Sequence, residues 1–227
     1  MYFKRFGLGV WGLCALVSVA VAEKNGVYVS GGLQYTLVKT TISRGMYANE
    51  AQPFALSGYT PGMSNMYGFS LNAGYKMFFG KLERRNGVRV YAFYDYGYDN
   101  PSFNGPRLND NVYGVGADYL FDFIDKRQMQ VGFFMGFAFA GSSWSNSGAS
   151  YVKSLAKYPG VSENFSYFQI PVNVGVRANV SKHQGFEFGL KIPLVRNYYF
   201  RSTAPGGIYG LTFQRSVVLY GNYVYNF

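Results

Sequence analysis

The stretch that most constrains this chain is its last, Val-Val-Leu-Tyr-Gly-Asn-Tyr-Val-Tyr-Asn-Phe over 217–227. Val217, Leu219, Gly221, Tyr223, Tyr225 and Phe227 alternate with Val218, Tyr220, Asn222, Val224 and Asn226. A period of two residues is that of a β-strand, whose successive side chains point to opposite faces. The first face is apolar and aromatic enough to meet lipid, while the second is mixed. The chain ends on an aromatic residue of the lipid-type face.

The same period recurs seven more times, in segments of about 10–15 residues. Val27, Val29, Leu33, Tyr35 and Leu37 oppose Tyr28, Ser30, Gln34 and Thr36. Tyr67, Phe69, Leu71, Ala73, Tyr75, Met77 and Phe79 oppose Gly68, Ser70, Asn72, Gly74 and Lys76. The pattern continues from Val88 to Tyr96, Tyr113 to Asp122, Val131 to Phe139, Phe168 to Val180 and Phe186 to Leu194. About eleven residues at ~3.3 Å each, tilted ~40°, cross the apolar band of an outer membrane. The expected fold is all-β, an eight-stranded antiparallel transmembrane up-and-down barrel. A soluble β-sandwich of similar length fits less well, because the pattern has a lipid-type face and a lumen-type face throughout.

The connections alternate in length. Short polar turns are expected at 80–85, 125–127 and 181–183, and longer ones at about 38–66, 97–111, 141–167 and 198–211, rich in Ser, Asn, Gly and Pro. The short turns read as periplasmic and the long ones as extracellular, which puts both mature termini in the periplasm. Tyr94, Tyr96 and Tyr98 near one boundary, and Tyr223, Tyr225 and Phe227 near the other, read as aromatic girdles.

The amino terminus carries a matching export address. Lys4 and Arg5 precede an uncharged apolar run from Phe6 to Val19, and Ala20-Val21-Ala22 has the A-x-A form of a cleavage site. Residues 1–22 read as a cleaved signal peptide and 23–227 as a single barrel domain. The apolar run is shorter than the ~20 residues of a spanning helix. Cleavage removes Cys14, the only cysteine, and leaves no disulfide or thiolate chemistry. It also lowers the net charge from +10 to +8 by removing Lys4 and Arg5. No basic-aromatic module points to nucleic acid, so outer-membrane lipids and lipopolysaccharide are the expected anionic partners.

Lys76, Arg89, Asp95, Asp118, Asp122, Arg177, Glu187 and Lys191 all fall on the lumen-type face. They can line an ion path, or they can pair and fill an interior just wide enough for its own side chains. Inward Phe93, Phe134 and Tyr220 add bulk, which favours the filled barrel over a narrow pore. Near the loop rim, Lys153, Lys157, Arg196, Arg201 and an outward Arg215 are candidates for lipopolysaccharide phosphate, or simply a solvated positive rim. Phe54, Tyr59, Trp144 and Tyr151 are candidate loop contacts for a host glycan or protein ligand, or aromatics that pack the loops onto the rim. No catalytic set is apparent, since His183, the only histidine, falls in a short turn. No metal cluster or phosphate-binding glycine loop is present, and no cofactor is expected.

Two resemblances sharpen this reading. The closing strand, with Tyr223, Tyr225 and Phe227, resembles the segment that the barrel-assembly machinery of outer membranes recognises. The run Lys182-His183-Gln184-Gly185-Phe186-Glu187-Phe188-Gly189-Leu190-Lys191-Ile192-Pro193-Leu194, then Tyr198-Tyr199-Phe200 and Arg215–Phe227, resembles the carboxy-terminal region of the Helicobacter outer membrane protein family. About 45 residues carry this resemblance, and more loosely the preceding Pro171–Arg177. It implies an outer-membrane barrel in a family where some large members act as adhesins and others are porin-like. The large insert of the adhesins has no counterpart here, so adhesion does not transfer residue by residue.

Overall fold

The computed structural model describes residues 25–44, 61–79, 85–99, 107–126, 129–146, 149–203 and 209–227. The segment 1–22, with its expected cleavage site, lies outside the described residues. The described chain forms β1 (Gly26–Arg44), β2 (Gly62–Phe79), β3 (Asn86–Asp99), β4 (Leu108–Lys126), β5 (Met129–Asn146), α1 (Ala149–Leu155), β6 (Val161–Glu163), β7 (Ser166–Gln169), β8 (Pro171–Asn179), β9 (Gln184–Pro193), β10 (Phe200–Ser202) and β11 (Tyr209–Asn226). Hydrogen bonding runs β1-β2-β3-β4-β5-β8-β9-β11, and β11 returns to β1. All eight pairings are antiparallel, so the sheet closes as an eight-stranded barrel with β7 continuing the line of β8 along β5. The closing seam runs from Tyr28↔Asn226 to Arg44↔Tyr209.

Closure removes the exposed edges that an open sheet would have. It also gives the two faces their opposite chemistry. Leu33, Leu71, Val115, Met135, Phe188 and Leu219 are exposed on the outer wall, whereas Tyr28, Ser70, Asp118, Phe134 and Glu187 are buried inside. Two bulges break the parity. Ser216 is skipped where Leu37↔Val217 gives way to Val38↔Arg215, and Phe123 is skipped between Asp122 and Ile124.

Several strands run further towards the loop end than the alternation alone suggests. β1 reaches Arg44, β5 reaches Asn146 and β11 begins at Tyr209. The loop end therefore has its own packing. Val38, Met66, Leu108, Trp144, Val152, Tyr199, Phe200, Tyr209, Leu211 and Phe213 form a buried apolar cluster, with Ile42, Leu155, Val161, Phe165 and Tyr167 against it. The short helix α1 was not anticipated from sequence. Its Val152 and Leu155, three residues apart, dock it onto this cluster.

Candidate functional site in the lumen and at its rim

Inward parity brings charges of both signs into a space that water cannot flood, so each must find a partner. Rising from the turn end, Lys76 Nζ donates to Asn226 Oδ1 at 3.0 Å and lies 4.7 Å from the Tyr28 ring centroid. Arg177 forks onto Asp122, with Nη2 2.8 and 2.7 Å from its two oxygens. Arg89 stands at the centre. Its Nε donates to Asp118 Oδ2 at 2.8 Å and its Nη1 to Glu187 Oε1 at 2.6 Å. One guanidinium thus ties β3 to its neighbour β4 and, across the lumen, to β9. Only a planar multi-donor cation does this with both carboxylates at once.

Above it, Lys191 Nζ donates to Asp95 at 2.9 and 2.7 Å. Aromatic rings fill the remaining volume and face the cations. The Phe134 centroid is 4.6 Å from Arg89 Cζ, Phe78 is 5.0 Å from Arg177 Cζ, and Phe93 is 4.8 Å from Lys191 Nζ. Tyr91 donates to Asp118 Oδ1 at 3.2 Å and accepts from Asn173. A gap bordered by Tyr28, Ser30, Asn72, Glu187 and Asn222 measures about 10 Å³. That is near the least space a single water needs.

Filling of this kind requires small residues opposite the rings. Gly175 pairs with Gly189 across β8 and β9. A Cβ on Gly175 would come within 2.4 Å of both Phe134 Cζ and the Phe188 carbonyl oxygen. One on Gly189 would meet Tyr220 Cζ at 2.6 Å.

All eight charges expected on the inner face are buried there. Arg215 is a correction. It was expected on the lipid-facing register, but the bulge at Ser216 turns it inward, and it is only 1 % exposed. Its Nη2 donates to Thr36 Oγ1 at 3.2 Å and its Nη1 lies 3.6 Å from Asp110 Oδ2. Asp110 also accepts from Ser142 Oγ at 2.8 Å. Sequence reasoning missed this fifth lumen cation and its carboxylate, because a one-residue bulge leaves no trace in the alternation before it.

Trp144 is a second correction. It was placed in a loop, as a ligand contact or as packing onto the rim, but lies on β5, 3 % exposed and stacked against Phe213 at 5.7 Å, so it packs rather than binds. Phe54 and Tyr59 lie outside the described residues, and so does the side chain of Tyr151. Lys153, Lys157, Arg196 and Arg201 are exposed at the loop end. Lys153 Nζ sits 5.3 Å from the Phe165 ring, and Arg196 Nε donates to Gln214 Oε1 at 2.5 Å. At the turn end, Tyr223, Tyr225 and Phe227 share the outer face, with Phe227 edge-on to Tyr225 at 5.0 Å. His183 Nδ1 is 2.7 Å from Asn226 O and its ring stacks on Tyr225, so it holds down the carboxy-terminal strand.

Residues 70–227 match the sequence model of a family described as Helicobacter outer membrane protein. No curated protein matches the chain significantly. Among solved structures, the outer membrane protein OprG of Pseudomonas aeruginosa is similar with a TM-score of 0.53 and 11 % identity, over 90 % of this chain and 97 % of that one. Neisserial surface protein A gives 0.46 and 15 %, over 89 % and 97 %. The attachment invasion locus protein Ail of Yersinia pestis gives 0.34 and 13 %, over 86 % and 97 %. At such identities the likeness to OprG speaks for the fold alone.

Proposed function

The chain belongs to the Helicobacter outer membrane protein family, and from that premise we propose that it is a closed outer-membrane barrel, not an enzyme, that acts through its loop-end surface rather than its lumen. Its residues 1–22 are removed on export, its closing strand is read by the barrel-assembly machinery, its turns face the periplasm and its loops face outward. Its role is architectural or a surface interaction, with a host glycan or protein among the ligands the loops can serve.

One observation carries this reading. The interior is occupied at two successive levels, by the Arg89–Asp118–Glu187 network and above it by the apolar cluster around Trp144. An ion entering from the loop end meets a layer with little to solvate it, then a layer whose charges are already spent on one another. Small barrels have no spare width to offset either.

A narrow pore for ions or small solutes is the second reading. Among the described residues, buried Gln34 Oε1 and Asn173 Oδ1 have no hydrogen-bond partner. Waters bound there would be the beginnings of a thin polar thread. Osmotic swelling of liposomes carrying the folded protein separates the two. Vesicles as tight to salts and small sugars as empty ones support the closed barrel; swelling faster than empty vesicles overturns it in favour of the pore.

A further inference from the structure

The outer wall above the apolar belt holds an arrangement that the lumen does not use. β9 stops at Pro193, whose cross-strand partner is Pro171. Neither proline has an N–H to give to a ladder, so the pairing of β8 with β9 ends there. Leu194 N still reaches Ile170 O at 3.1 Å, and Tyr199 N rejoins β11 at Leu211 O, 2.8 Å away. Between those two bonds, Leu194, Arg196 and Tyr198 are all exposed. The segment therefore presents an apolar, a cationic and an aromatic side chain in succession.

Arg196 lies on Gln214 through its 2.5 Å hydrogen bond, and Gln214 is the cross-strand partner of Lys39, which is also exposed. Lys39, Gln214 and Arg196 thus form one row across three neighbouring segments, which in a sheet lie about 4.8 Å apart. Arg201 stands above the row, its guanidinium carbon 5.7 Å from the centroid of the Tyr198 ring, and that ring covers Gly210. Among the described residues no carboxylate pairs with Lys39, Arg196 or Arg201. Further down the wall the outer face is apolar, through Leu194 two residues before Arg196 and, lower, through Leu219 and Leu33, 61 %, 47 % and 76 % exposed.

Unneutralised cations and an amide at the upper border of a lipid-facing wall complement a phosphorylated amphiphile whose acyl chains run down that wall. We propose that Lys39, Gln214 and Arg196, with Arg201 above them, anchor the phosphate of a lipopolysaccharide molecule in the outer leaflet. Lys153 and Lys157 take no part, because they belong to the α1 region of the loop-end cap rather than to the wall. The assignment rests on the reading that the loop end faces outward.

The test adds three probes to the folded full chain in detergent: phosphorylated lipid A, enzymatically dephosphorylated lipid A, and inorganic phosphate. The midpoint of heat-modifiable gel migration reports binding. The wild type is expected to shift with phosphorylated lipid A alone, and Lys39→Gln with Arg196→Gln is expected to weaken that response about tenfold. Lys39→Gln by itself serves where the pair fails to fold. A response as large with dephosphorylated lipid, or with inorganic phosphate, overturns a lipid phosphate as the ligand. An undiminished response in the variants overturns these residues as the site.

Labelling Ser150→Cys on intact cells with an impermeant maleimide reads the orientation separately. Labelling without a lipid response sinks the site and spares the orientation. A lipid response without labelling sinks the outward reading, and with it lipopolysaccharide as the occupant.

Discussion

Arg215 and Asp110 face each other inside the barrel, the guanidinium Nη1 3.6 Å from the carboxylate Oδ2, on strands that are not neighbours in the sheet. The contact exists because Ser216 is bulged out of β11 and turns Arg215 away from lipid. That inversion gives a prediction with a sign. Replacing a lipid-facing arginine by Leu stabilises a barrel in a bilayer, whereas Arg215→Leu here strands a buried carboxylate. We expect Arg215→Leu to cost about 3–5 kcal/mol, and equilibrium unfolding in lipid vesicles measures it. A gain in stability would put Arg215 back on the outer face.

The central fork should behave in the same way. Glu187→Gln leaves Arg89 with one carboxylate instead of two. Removing a partner from such a buried set is expected to cost about 3–5 kcal/mol, while Arg89→Met combined with Asp118→Asn and Glu187→Gln costs less than the three single losses added. Urea titrations of the single and triple variants check this. Strict additivity would mean that the groups do not act as one network.

Gly175→Ala probes the packing rather than the charge. The added carbon meets the Phe188 carbonyl as well as the Phe134 ring, so side-chain motion alone does not relieve it. An overpacked interior loses about 1–3 kcal/mol, read as a lower midpoint of heat-modifiable migration. Unchanged stability would mean the lumen has slack, which favours the pore.

Trp144 offers the least expensive check. The chain has two tryptophans, at 11 and 144, so a protein refolded without 1–22 reports on Trp144 alone. Its burial against Phe213 predicts blue-shifted emission that iodide barely quenches. Red-shifted, readily quenched emission would return Trp144 to an exposed loop. Trp144→Ala is expected to cost about 3–5 kcal/mol.

Alternation in the sequence is enough to assign faces wherever the ladder is unbroken, which is why the eight-stranded barrel and the polarity of its two faces are legible in strands such as β2 and β3. It fails where geometry changes by a single residue. The bulge at Ser216 flips every side chain beyond it, so Arg215 changes face while the residues around it read the same. It also stops short at the loop end, because Ser142, Ser143 and Ser145 around Trp144 resemble a loop in composition and continue β5 only through pairing with β4. The helix α1, seven residues long, is shorter than any window in which a 3.6-residue period stands out. The partnership of Pro171 with Pro193 is a matter of register, and register appears only once the strands are paired.

Whether the lumen is closed is read by single-channel current through the folded, signal-free protein in a planar bilayer, with heat-modifiable migration showing that the barrel has formed. A silent bilayer is expected for the wild type, because the Arg89 network and the apolar cluster around Trp144 both stand in the way. Reproducible conductance steps whose ion selectivity changes with Asp95→Asn and Asp118→Asn would contradict it and make the lumen the functional part of the molecule.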